Sequence, residues 1–210
     1  MRTKNKVVYS KLPVRQVDAL TTDHLAAIIY SMGDSPIDVR DRALLLVGYH
    51  GALRRSEIAG ICANHLTYNG NQLTILIPKS KTDKEGLGQV VTLNQDNGIL
   101  CPIRALKAWI DLCFGNTNPG TQPVFRSISR HGNISAKAIT DRSIARIVKG
   151  RIESIGIDSS NFSGHSLRVG YVTDSINRGS HPYEVVRQTR HGSMNSLFMY
   201  YRPQTQAAQP

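Results

Sequence analysis

The chain has 210 residues, which is enough for one domain with a substantial core and too few for two large domains. It carries 26 Lys and Arg residues against 15 Asp and Glu, a formal charge of +11 that is typical of proteins that contact a polyanion, most often nucleic acid. Its three cysteines include no C-x-x-C pair, which argues against a disulfide framework or a zinc site and favours a reducing cytoplasm.

The first 20 residues form a basic segment that we interpret as an arm or an interdomain linker. They are rich in lysine and arginine, and no acidic residue precedes Asp18. Such a segment has little apolar surface to bury, so we expect it to be partly ordered at most unless DNA or another domain holds it. We predict one folded domain at 21–203 and a short polar tail at 204–210.

Three helices are predicted at the start of this domain. The first begins at the two threonines at 21–22, either of which can cap it. Its core face is formed by Leu25, Ile28 and Ile29. The second helix runs through 38–50 and contains a continuous apolar stretch, and a short third helix lies at 54–61.

Three strands follow at 64–68, 72–78 and 89–93. The first two flank an Asn-Gly pair, which is the strongest short-range signal for a hairpin. Further helices are predicted at 102–113, 140–156, 165–179, 182–189 and 193–202. The fold class is therefore α+β, a mostly helical domain with a small three-stranded antiparallel sheet.

Four short segments combine residue types that suit phosphate chemistry. They are GALRRSE, KSKTDKEG, GHSLR and RHGSMNSLFMYYR, and they hold Arg54, Lys81, His165, Arg168, His191 and Tyr200. In these segments the chain strongly resembles the tyrosine recombinases, the phage integrase family. Each pattern alone is weak, but all of them in order, over roughly 20–203, make a specific match.

The resemblance implies a role for each segment. The family's first catalytic arginine lies in an R-x-S-E segment and matches Arg54, and its catalytic lysine lies on a turn between two strands and matches Lys81. Its H-x-x-R pair matches His165 and Arg168, and its second histidine precedes the nucleophile by nine residues, as His191 does. The resemblance also implies double-stranded DNA as partner and a homotetramer on DNA, without a membrane, a small-molecule substrate, a metal or another cofactor.

Elementary chemistry agrees with these roles. Tyr200 can attack phosphorus and form a covalent phosphate ester. This ester conserves the energy of the broken phosphodiester bond, so that rejoining needs no ATP. A phenol is a weak acid, so a base must take its proton, and His165 is the candidate. Lys81 is the candidate acid for the leaving 5′ oxygen. The planar forks of Arg54 and Arg168 each suit two phosphate oxygens and can stabilise the charge that develops there.

Two residues support this set. His191 is expected to hydrogen-bond a phosphate oxygen. Glu57 lies three residues after Arg54, one helical turn away, and is expected to orient that arginine as an ion-pair partner, or to orient His165.

Arginines and lysines outside these segments are candidate DNA contacts. The helix at 140–156 carries Arg142 and Arg146 opposite its apolar side, and the resemblance places this helix in the major groove. A solvated helix face is the alternative interpretation of the same pattern. The weaker candidates for contacts with the DNA backbone are Lys79, Lys84, Arg126 and Arg130.

Adjacent tyrosines compete for the role of nucleophile. Neighbours in a helix point about 100° apart, so only one of them can face the phosphate. Tyr201 shares a helical face with an apolar set, and Tyr200 shares one with Ser193 and Ser196. The apolar set is Met194, Leu197 and Phe198. We therefore predict that Tyr200 faces the phosphate and that Tyr201 packs against the core.

Two other functions remain open at this point. A type IB topoisomerase shares the arginines, the lysine and the tyrosine but has one active-site histidine, and a catalytically silent DNA-binding module would share the charge. Members of the family also carry an N-terminal DNA-clamping domain that these 210 residues do not contain. We therefore expect an isolated catalytic domain or a truncated gene product.

Overall fold

The computed structural model describes residues 16–78 and 88–202, so that Lys79, Lys81 and Lys84 lie outside the described residues. The helices in these ranges are α1 (Thr22–Ser31), α2 (Pro36–His50), α3 (Arg55–Ala59), α4 (Pro102–Phe114), α5 (Asp141–Glu153), α6 (Ser166–Asn177), α7 (Pro182–Thr189) and α8 (Met194–Phe198). The strands are β1 (Leu66–Asn69), β2 (Gln72–Ile77), β3 (Gln89–Asn94), β4 (Arg126–Ile128) and β5 (Ile134–Ala138).

Helix α2 lies at the centre of the helical core. Its run of four apolar residues, 44–47, is fully buried, because α4 and α6 both pack against it. Helix α1 buries the three residues that the sequence pattern predicts. Trp109 of α4 is fully buried, and its indole N–H donates to the carbonyl of Val124 at 2.9 Å. None of the helices within the described ranges is long and apolar enough to cross a membrane.

The predicted antiparallel sheet is confirmed, with the strand order β1-β2-β3. Alternate residues of β2 point into the core, and they pair with buried residues of β3 as Leu73 with Leu93 and Ile75 with Val91. The hairpin turn lies one residue later than the Asn-Gly signal indicates. Asn69 pairs with Gln72, which leaves 70–71 as the two turn residues, and the glycine at 70 takes the positive φ of 56°.

Two features differ from the sequence prediction. Strands β4 and β5 form a second, two-stranded sheet that was not predicted, because the segment 126–138 is polar and lacks a regular alternation of apolar residues. Helix α8 spans 194–198 instead of 193–202. The chain turns after it, since the N–H of Tyr200 donates to the carbonyl of Leu197 at 2.9 Å.

The packed structure reaches back before residue 21. The N–H of Asp18 donates to the carbonyl of Asn161 at 3.1 Å, and the N–H of the fully buried Leu20 donates to the carbonyl of Ser166 at 3.0 Å. Helix α6 approaches this segment so closely that a Cβ atom on Gly170 would lie 1.8 Å from the carbonyl oxygen of Leu20. Only glycine permits this contact between the segment 18–20 and α6.

We expect Gly170→Ala to lower the free energy of unfolding by about 3 kcal/mol, the upper end of the usual cost of overpacking, because backbone must move to admit the methyl group. Gly150→Ala in α5 is the matched control. A Cβ there would meet nothing within 4 Å, and alanine favours a helix over glycine by up to about 1 kcal/mol. Urea unfolding measures both variants, and equal stability of the two would contradict the close approach.

Candidate active site

Arg54 is held at the start of α3 by Glu57. It is the last residue before that helix and has an extended backbone, with φ −76° and ψ 154°. Its backbone N–H donates to Oε2 of Glu57 at 2.8 Å, and its Nη1 donates to Oε1 at 2.7 Å. One buried carboxylate therefore caps the start of the helix and orients the Arg54 guanidinium. This contact is the ion pair that the sequence predicts between Arg54 and Glu57.

Arg168 is a fully buried cation in the first turn of α6. Its Nη1 donates to the carbonyl of Ala52 at 2.7 Å. Its Nε and Nη2 are buried and have no hydrogen-bond partner among the described residues. A guanidinium stays charged at neutral pH, so this site holds a buried positive charge with two unused donors. His165 lies immediately before α6, on the same side as Arg168.

His191 and Tyr200 complete the cluster. Nδ1 of His191 lies 2.8 Å from Oγ1 of Thr189, and its Nε2 is buried without a hydrogen-bond partner among the described residues. The centroid of the Tyr200 ring lies 4.5 Å from that of His191 and 5.0 Å from that of His165. The guanidinium carbon of Arg168 lies 5.7 Å from the Tyr200 centroid. The structure thus brings together five of the six predicted catalytic residues, and Lys81 falls outside the described ranges.

Both histidines of the site are neutral at neutral pH. Burial, with the positive charges of Arg168 and Arg54, lowers the pKa of His165 to about 4. The same causes lower the pKa of His191 to about 3. Each imidazole therefore has an unprotonated nitrogen at neutral pH. Within the ranges 16–78 and 88–202, no three His, Cys, Asp or Glu side chains are grouped so that they could hold a metal ion.

Arg190 belongs to the same cluster, and the sequence analysis did not find it. It precedes His191, is buried, and its Nη2 lies 2.6 Å from Oε2 of Glu57. Burial alone would raise the pKa of Glu57, but the charges of Arg190 and Arg54 and the hydrogen bonds from Arg54 outweigh burial and lower it. Arg190 is the first residue of the segment RHGSMNSLFMYYR, but the sequence pattern assigns it no role, and nothing in its spacing marks it.

The two tyrosines both pack against the small cluster around Val172, Val185 and Leu197, and they differ in that Tyr200 lies beside the histidines. The reasoning about the helix face was wrong. The hydroxyl of Tyr201 donates to Oδ1 of Asn177 at 2.9 Å, away from the histidines. Of the expected apolar stripe, Leu197 is fully buried, whereas Met194 is 40% exposed and Phe198 is 56% exposed. Helix α8 ends at 198, so the helical periodicity does not extend to either tyrosine.

The candidate DNA contacts fall into two groups. Arg142 and Arg146 are exposed on α5, opposite the buried apolar residues, and Arg130 is exposed on the β4–β5 turn. Arg126 is buried. Its guanidinium packs 4.2 Å from the centroid of the Phe114 ring and hydrogen-bonds Gln122 and the carbonyl of Pro123. Because its donors are used inside the protein, we withdraw Arg126 from the candidate phosphate contacts.

Comparisons with known proteins show which family the chain resembles. Residues 18–207 match the model of the phage integrase family. An integrase/recombinase xerD homolog of Selenomonas ruminantium is 34% identical over 163 residues, which cover 77% of this chain and 47% of that protein. A tyrosine recombinase XerC of Pelobacter propionicus is 26% identical over 162 residues, with the same two coverages. The chain thus spans about half the length of these relatives.

Solved structures share the fold. The XerH site-specific recombinase bound to a palindromic difH substrate, in a post-cleavage complex, gives a TM-score of 0.65 at 19% identity and covers 87% of this chain and 49% of its own. A lambda integrase dimer bound to a COC' core site gives 0.64 at 14% identity and covers 95% of this chain and 52% of its own. The family match, which extends over nearly all of the described residues, confirms the resemblance found in the sequence, and the chain belongs to the phage integrase family.

Proposed function

We propose that this chain is the catalytic domain of a site-specific DNA recombinase that cuts and rejoins strands through a 3′-phosphotyrosyl intermediate on Tyr200. The observation that carries the proposal is the buried guanidinium of Arg168, whose Nε and Nη2 have no partner in the described part of the chain and which lies beside the Tyr200 ring. A buried donor that lacks a partner costs about 1–3 kcal/mol, and more for a charged group. An anion bound at this point would remove that cost, and a DNA phosphate is the anion that the family match suggests.

The phosphate would be held from several directions. Arg168 would donate from Nε and Nη2, and His191 from Nε2 if its proton lies on that atom. Arg54 would add a second planar fork. Three arginines and one carboxylate lie in the cluster, so it keeps a net positive charge, which favours the extra negative charge of a pentavalent phosphorus. These groups are fixed before DNA binds, so they need little reorganisation during the reaction.

Tyr200 would be the nucleophile. Its hydroxyl oxygen forms a bond to phosphorus while the bond from phosphorus to the 5′ oxygen breaks, so one phosphodiester replaces another. The phenolic proton would go to a ring nitrogen of His165, which is neutral at neutral pH and lies next to the Tyr200 ring. Attack by a 5′ hydroxyl on the phosphotyrosine reverses these steps. Energy from a nucleotide is not needed, and no step in this scheme calls for a metal.

Lys81 would protonate the leaving 5′ oxygen. It belongs to the segment 79–87 that joins β2 to β3, and its role follows from the sequence motif alone. Without a proton the 5′ oxygen leaves as an alkoxide, so a nearby ammonium group is the expected donor.

Double-stranded DNA would lie across the exposed cations. Arg142 and Arg146 of α5 are the candidates for the major groove, and Arg130 is a candidate for the backbone, together with Lys79 and Lys84. We further propose that the full-length enzyme acts as a homotetramer on DNA. A recombinase is favoured over a type IB topoisomerase because His191 provides a second histidine beside Tyr200, and over a silent module because each catalytic position is occupied.

We expect Tyr200→Phe to abolish the covalent DNA adduct, because the nucleophilic oxygen is lost. Tyr201→Phe is the matched control. It should keep the adduct and lose about 1 kcal/mol of stability with the hydrogen bond to Asn177. Trapping on a pool of nicked duplexes with a randomised core, followed by denaturing electrophoresis and peptide mapping, measures both. An adduct that maps to Tyr201 would overturn the assignment.

The rate of adduct formation at limiting enzyme and DNA should change little between pH 7 and pH 5. The pKa of His165 in the free protein is lowered to about 4, so the proton-accepting form persists until the pH falls toward that value. With a histidine of ordinary pKa, about 6.5, the rate would instead fall roughly 25-fold between pH 7 and pH 5. His165→Gln should be slower by roughly 100-fold or more at every pH. A wild-type midpoint near pH 6.5 would contradict the proposed state of His165.

Lys81→Ala should cut the adduct rate by roughly 100-fold or more on ordinary DNA, because the leaving oxygen lacks its acid. A substrate with sulfur at the 5′ bridging position needs no protonation to leave, so it should restore the rate of this variant. The same substrate should not restore Arg168→Ala, in which a phosphate donor is missing. Failure of the sulfur substrate to help Lys81→Ala would show that the lysine is not the acid.

A further inference from the structure

We propose that Arg190 is a positioning residue of the cleavage reaction. Through Glu57 it keeps the guanidinium of Arg54 directed toward the phosphate, and it fixes the segment that carries His191 to the start of α3. This inference rests on the proposed function and adds to it a residue to which the sequence analysis assigned no role.

The contacts of Arg190 join two parts of the site that are far apart in the chain. Its Nη2 forms an ion pair with Oε2 of Glu57 at 2.6 Å, and its Nη1 lies 3.4 Å from the carbonyls of Gly51 and Gln188. The ion pair connects α3 to the end of α7, next to His191. The Arg190 side chain is 5% exposed, so solvent screens the pair little.

Glu57 divides its oxygens between the two arginines. Oε1 accepts from Nη1 of Arg54, while Oε2 accepts from the backbone N–H of Arg54 and from Arg190. Without Arg190, the buried carboxylate would have a single cation, Arg54, to neutralise it. The full negative charge would then pull that guanidinium toward α3 and compete with a phosphate for its donors. With Arg190 present, the cluster satisfies Glu57 and keeps positive charge for the substrate.

The backbone at Arg190 indicates that its side chain is needed there. Its φ is 56°, in the left-handed region that favours glycine and that costs an ordinary residue about 1 kcal/mol or more. The one other described non-glycine residue with positive φ is Ala52, whose carbonyl accepts from Arg168. The strained residue Ala52 thus holds Arg168, and the strained residue at 190 is itself an arginine of the site. Backbone strain of this kind is expected where function determines which residue is present.

The test uses substitutions that suit a left-handed backbone. Arg190→Asn and Arg190→Gly both remove the guanidinium without adding strain, and Arg190→Lys keeps the charge. Arg187→Asn is the matched control, since Arg187 is exposed on α7 and loses the same charge. The single-turnover adduct rate and the DNA dissociation constant are measured for each, at a temperature where near-UV circular dichroism shows the folded state.

We expect the adduct rate of Arg190→Asn and Arg190→Gly to fall by roughly 10–100-fold, as misplaced catalytic groups do, while their DNA affinity changes no more than that of Arg187→Asn. Arg190→Lys should recover part of the rate. In a Glu57→Gln background the further loss from Arg190→Asn should be small, because the charge that Arg190 neutralises is gone.

Three outcomes would overturn the role of Arg190: an unchanged rate, a loss explained by weaker DNA binding, or losses that multiply in the Glu57→Gln background. Wild-type protein that forms no adduct would instead count against the proposed function itself. That result is distinct, because the role of Arg190 is judged by the ratio of variant to wild-type rates.

Discussion

The buried charge of Arg168 is the constraint on which the rest of the site depends. A guanidinium in the interior needs compensation, and Arg168 donates one hydrogen bond, to the carbonyl of Ala52, while its Nε and Nη2 have no partner among the described residues. The fold holds it there through α6, which is fixed on one side by the close contact of Gly170 with Leu20. One turn further along the same face of α6, Asp174 accepts hydrogen bonds from the hydroxyls of Tyr49 and Thr22, at 2.5 and 2.7 Å. The helix therefore cannot relax to bring the cation to solvent, and the unsatisfied donors remain available to a bound anion.

Burial, together with this concentration of positive charge, determines the protonation state of the histidines. Arg168 and Arg54 act on His165 and His191 together with burial, and all of these effects favour neutral imidazole. The same charge that would bind a phosphate thus keeps a proton acceptor ready in the free protein. In the proposed complex, the negative charge of the phosphate would oppose the effect of the arginines and raise the pKa of His165, so that it would become a stronger base there. Under the proposed function, phosphate binding and proton transfer would in this way be coupled by electrostatics.

Much of this arrangement could be predicted from the sequence, and the failures have physical causes. Helices such as α5 were found because their apolar residues recur at helical spacing, and the main sheet because alternating strands flank an Asn-Gly turn. Arg54 and Arg168 could be identified because each lies in a short motif of neighbouring residues. Arg190 was missed because its role depends on a contact with Glu57, 133 residues away, and on a left-handed backbone that a sequence does not display. Arg126 was misjudged because the polar residues around it in the sequence give no sign that its guanidinium packs against the ring of Phe114, at the end of α4.

The candidate site combines firmly held arginines with a weakly anchored tyrosine. The arginines lie at the starts of α3 and α6, which pack into the main core, whereas Tyr200 follows a five-residue helix whose contacts are with a small separate cluster built on Val172, Val185 and Leu197. Beyond it, Arg202 joins this segment to α6 through a 3.1 Å hydrogen bond from its N–H to Oγ1 of Thr173. Few buried apolar contacts mean a low free energy of local opening. A tyrosine with the proposed role of forming and releasing a covalent bond to DNA would need a segment that can shift, and the weakly packed segment around Tyr200 meets that need.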